Sequence, residues 1–195
     1  MQNSQNNYLL TKTDEKVAIT SNLELNDSYV YFRTENKEKK KGYDENVYKD
    51  KQMKMLEFDG RVFMVLPDGR GNYIQEVVCF NDKYILTGWF YGGSGLFIKV
   101  YDLSFNSVYN FKPLRVGKKY QLKDIEEHIK PYFGDCANVT DVMVKTINDD
   151  DKTQTLSGRT VKAHMLVDIY AVKCNHTSKS INDWIKAFLA LPAAK

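Results

Sequence analysis

No apolar run in this 195-residue chain approaches the ~20 residues that an α-helix needs to cross a bilayer. The opening, MQNSQNNYLL, has no apolar h-region and reads as no signal peptide. Either the chain is cytoplasmic, or a leader has been removed and replaced by Met1. Charge of one sign is also missing. Lys and Arg number 28 and Asp and Glu 25, for a net +3. Nucleic-acid partners demand a more concentrated basic footprint, so none is expected. Cysteine is scarce: Cys79, Cys136 and Cys174 form an odd set with no CxxC, which gives neither a disulfide framework nor a zinc site. An oxidising compartment would allow one bridge, with Cys136 to Cys174 the favoured pair, although sequence does not fix connectivity. There is no internal repeat.

What is present points to sheet. Aromatics make up 13% of the chain, with 13 Tyr and 10 Phe, and such residues suit pleated, half-buried surfaces. Residues 1–7 are Asn/Gln-rich and expected to be disordered. From residue 8 to about 111, short apolar runs alternate with turn signals at Asn26-Asp27, Gly42, Asp59-Gly60, 67–72 and 80–84. This predicts a mainly β, α+β fold: an antiparallel sheet that curls or forms a barrel-like meander. Helical spacing predicts helices over 122–133, 138–147 and 181–191, the last with a capping box at Ser180 and Asp183. Between them, 148–160 reads as a polar loop and 161–174 as a strand. One β-rich domain over 8–195 accounts for all of this.

The segment YILTGWFYGGSGLFIKVYD carries the glycine cluster Gly92-Gly93-Ser94-Gly95. A phosphate loop needs a helix after it, because the free N–H groups of the helix N-terminus hold the anion. Here Leu96 to Tyr101 read as a strand and the P-loop Lys-Ser/Thr pair is missing, so a hairpin turn is expected. Closing it at Gly93-Ser94 sets Trp89 opposite Ile98 and Thr87 opposite Val100. Tyr84, Leu86, Phe90, Phe97, Lys99 and Tyr101 then share the other face. Within that set, Tyr84, Phe90, Phe97, Lys99 and Tyr101 are the candidate contact face for a ligand or partner.

Catalytic and metal constellations fail on spacing. His164 and Asp168 share a predicted strand ~13 Å apart, too far to orient a Cys79 thiol. Asp149, Asp150 and Asp151 lack the order of ligands and the glycine of a calcium loop. Lys37, Lys39, Lys40 and Lys41 read as a solvated tip. His128 has no second histidine at helical spacing, and Glu126 and Glu127 point to different sides. No cofactor and no metal are expected.

The stretches LEFDGRVFMVLP (56–67), NDKYILTGWF (81–90) and KKYQLKDIEEHIKPYFGDC (118–136) resemble an uncharacterised family of β-rich exported proteins from Bacteroidetes bacteria. The resemblance implies a periplasmic or secreted location, with a leader cut near residue 2, and it supports a Cys136–Cys174 bridge. It brings no activity or site residues. The function expected is a non-catalytic exported or cell-envelope domain that binds a protein or envelope component. The alternatives are a small-molecule carrier with an apolar barrel cavity and, behind it, a hydrolase.

Overall fold

The structure is a computed structural model and describes residues 7–19, 23–26, 28–67, 71–91, 95–111, 118–153, 174 and 177–191. The fold is mainly β. The strands are β1 (Tyr8–Thr11), β2 (Lys16–Ala18), β3 (Leu23–Leu25), β4 (Tyr29–Glu35), β5 (Tyr43–Lys49), β6 (Met53–Phe58), β7 (Arg61–Pro67), β8 (Asn72–Phe80), β9 (Tyr84–Tyr91), β10 (Gly95–Asp102) and β11 (Ser107–Phe111). The helices are α1 (Lys118–His128), α2 (Lys130–Phe133), α3 (Ala137–Thr153) and α4 (Ile181–Leu189). One antiparallel sheet has the order β11-β10-β9-β8-β7-β6-β1-β2, the other β3-β4-β5, and neither closes. The chain divides into two compact units, Met1–Val77 with Trp89–Gly92, and Val78–Gly88 with Gly93–Lys195.

In the first unit the Asp59-Gly60 pair turns β6 into β7. Both residues take positive φ, 51° and 74°, the type I′ geometry whose twist matches that of paired strands. Phe58 then faces Arg61 and Leu56 faces Phe63. Asn7 reinforces the turn, since its side-chain oxygen accepts from Asp59 N–H at 2.9 Å. β4 alternates strictly: Val30 and Phe32 are buried, whereas Tyr29 and Arg33 are exposed. The inward set packs with Leu9, Met53, Leu56, Phe63 and Ile74 into one core.

In the second unit a core joins Leu86, Ile98 and Val100 to Ile125, Phe133, Val139 and Met143 of the helices and to Ile129 between α1 and α2. Cys136 and Cys174 lie in the same core and are joined by a disulfide, their Cα atoms 4.9 Å apart, within the usual span of such bonds. Free Cys79 is buried, and desolvation pushes its thiol up to about 12.

The carboxylate of Asp82 clasps the segment leading into α4. It accepts from Thr177 Oγ1 (3.0 Å), Ser178 N (2.7 Å), Ser178 Oγ (2.9 Å) and Lys179 N (2.9 Å). The Lys179 N–H and the Ser178 hydroxyl lead the causes that hold its carboxyl down to about 2. Ser180 then caps α4 in a reciprocal box with Asp183. Trp184 is fully buried, donates its indole N–H to the Asn81 carbonyl at 3.1 Å, and meets Phe105 edge-on.

Several expectations are corrected. The predicted 122–133 helix is two helices parted after His128, because Pro131 at the start of α2 has no N–H to give a continuing helix. α3 begins at Ala137, so Asn138 is inside it, and it continues to Thr153 where a polar loop was expected from 148. No Gly or Pro interrupts it, and polarity alone does not end a helix. The predicted 161–174 strand lies outside the described residues except for Cys174.

Candidate functional site

The glycine cluster is followed by strand β10 from Gly95, and β10 neighbours β9, as a hairpin requires. Gly92 to Ser94 lie outside the described residues. The packing groups Leu86 with Ile98 and Val100, whereas the expected register put Leu86 on the opposite face.

Burial undoes the expected contact face. Tyr101 is fully buried and Lys99 is 3% exposed, so neither is presented at the surface. Tyr84 is half-buried against Tyr132 of α2, ring centroids 5.0 Å apart. The side chains of Phe90 and Phe97 lie outside the described residues. The physical reason is that both faces of β9 and β10 are apolar, and such strands are buried on both sides.

The catalytic candidates do not assemble either. Cys79 is buried with its thiol kept protonated, so it is a poor nucleophile. His164 and Asp168 lie outside the described residues. His128 stacks on Tyr109 at 4.5 Å. The Asp149, Asp150 and Asp151 backbones are helical within α3. Glu76, the most enclosed acid described, is held by Arg61 Nη2 at 2.6 Å and by Arg61 Nε. Among the described residues no cluster of His, Cys, Asp and Glu could hold a metal ion.

Among the described residues, the outward face of β3-β4-β5 presents a row of polar and aromatic side chains. Alternation along β4 sends Tyr29, Tyr31 and Arg33 outward. Antiparallel register sets Lys49 opposite Tyr29, Val47 opposite Tyr31 and Glu45 opposite Arg33 on β5, and Glu24 opposite Tyr31 on β3. An open groove of about 420 Å³ is lined by Glu24, Tyr29, Tyr31, Arg33, Val47 and Lys49. That is within the ~300–1,000 Å³ of small-ligand clefts. The chain matches no protein-family model, no curated protein and no solved structure.

Arg33 is fixed in this groove. Its Nε–H donates to the Tyr31 hydroxyl at 2.9 Å, and its guanidinium lies 4.5 Å from the Tyr43 ring centre. The Tyr31 hydroxyl, by accepting this hydrogen bond, favours the charged guanidinium and raises the Arg33 pKa further. Tyr29 is 40% exposed and Val47 52%. The groove thus offers ring faces, two cations and a carboxylate. Its signal was present in YVYFRT, whose alternation separates Val30 and Phe32 from Tyr29, Tyr31 and Arg33. A tyrosine on a strand reads as core until its face is known, which is why the groove was missed.

Proposed function

We propose that the protein is a non-catalytic binding domain of the exported or cell-envelope compartment, with the outward face of β3-β4-β5 as its ligand surface. The observation that carries this reading is the outward Tyr29–Tyr31–Arg33 row, with Tyr29 and Arg33 exposed and Tyr31 half-buried. Large ring surfaces left in water on one strand mark contact sites. The Cys136–Cys174 bridge supports the compartment, because disulfides persist where glutathione does not reduce them. A carrier would need an enclosed apolar cavity, and open sheets offer none by closure.

Two measurements test the reading. Envelope membranes and wall material of the host are pelleted with purified chain. The wild type is expected to sediment with them, and a Tyr31→Thr/Arg33→Gln variant at least ten-fold less. Equal sedimentation of both, or none of either, overturns the ligand surface. Thiol labelling of the protein in its host fractions is expected to find it outside the cytosol with two of three cysteines oxidised. Three reduced thiols in the cytosol overturn the compartment.

A further inference from the structure

We infer that the groove on β3-β4-β5 takes a neutral glycan chain, an inference that rests on the ligand surface proposed above. Size speaks first against a folded protein partner. β4 and β5, seven residues each, are roughly 24 Å long, β3 has only three residues, and three strands span about 10 Å between their outer axes. The product is a few hundred Å², below the ~800 Å² that each side of a standard protein interface contributes. Apolar content agrees: Tyr29 and Val47 are the large exposed apolar side chains of this face, whereas interface cores are richer in such groups.

Charge speaks next. Signs are mixed at the groove, where Arg33 and Lys49 line it with Glu24, and Glu45 stands opposite Arg33 beside it. A polyanion would meet Glu24 and Glu45, and a polycation would meet Arg33 and Lys49. A sugar hydroxyl both donates and accepts, so carboxylates and cations serve it equally. The C–H faces of a pyranose are apolar and suit the flat rings of Tyr29 and Tyr31, which bring large contact area at low entropic cost. Arg33, locked by Tyr31 and Tyr43, loses little freedom when a ligand arrives. The open groove admits a polymer passing through rather than a small molecule swallowed whole.

The test compares host envelope material left untreated, treated with periodate to cleave vicinal diols, and treated with protease. Wild-type chain is expected to lose at least ten-fold of its sedimentation after periodate and to keep it after protease. Raising salt from ~0.1 to ~1 M, which screens ion pairs, is expected to change it less than two-fold. Tyr29→Thr and Lys49→Gln, which keep strand propensity or lie at an exposed end, are each expected to weaken it several-fold with an unchanged thermal melt. Face-dependent sedimentation that protease destroys and periodate spares overturns the glycan while leaving the ligand surface standing, as does a steep fall with salt. Sedimentation indifferent to the face variants overturns both.

Discussion

Reducing the Cys136–Cys174 bridge is expected to destabilise the unit that contains it by an amount the chain length sets. The bridge spans 38 residues. Releasing a loop of that length returns about 13 cal/mol/K of entropy to the unfolded chain, or ~4 kcal/mol at 25 °C. Both cysteines are buried in the core that holds Ile129, Phe133, Val139 and Met143, so a Cys136→Ala/Cys174→Ala variant also removes packing. Reduced wild type isolates the loop contribution, and the difference between it and the variant measures the lost contacts. Urea unfolding followed by the fluorescence of buried Trp184 is the assay. With a denaturant slope of ~2 kcal/mol/M, the midpoint falls by about 2 M on reduction. Cys79 does not confuse the result, because burial pushes its thiol to about 12 and disfavours exchange from the folded state. A shift under ~0.3 M on reduction would refute the reasoning, since it would mean that Cys174 is not tied to the helices in the folded protein.

Asp82 predicts an acid transition. Its carboxyl is held from 3.8 down to about 2, so its clasp contributes stability that is present above pH ~4 and lost as pH falls toward 2. The unfolding midpoint of wild type should drop across that window, and that of Asp82→Asn should start lower and drop less; parallel curves would count against the clasp. Trp184→Phe leaves the Asn81 carbonyl without the indole donor it has at 3.1 Å. The expected cost is about 1–3 kcal/mol, read as a lower urea midpoint, and no change would show that this contact is not maintained in solution.

Much of the fold was legible where local chemistry decides. Asp59-Gly60 is a hairpin because only residues tolerant of positive φ close a two-residue turn, and the observed angles of 51° and 74° agree. Ser180 and Asp183 cap α4 as their spacing predicts. Asn81 closes its turn by accepting from Lys83 N and Tyr84 N at 2.9 and 2.8 Å. What was illegible depends on partners distant in sequence. Tyr84, Lys99 and Tyr101 looked like a surface because period two names two faces but not which of them is covered. Tyr29, Tyr31 and Arg33 had the same ambiguity and resolved the other way. The length of α3 was missed because Asp149, Asp150 and Asp151 suggest a loop by composition, while the backbone continues until something breaks it.

β2 ends one side of the eight-stranded order and is three residues long. Lys16 stands at its start, with its ammonium 3.7 Å from the centre of the Tyr8 ring. A second molecule seeking to lengthen the sheet at β2 would find only a brief ladder and a cation at its threshold. At this margin the sheet offers a poor template for a further strand.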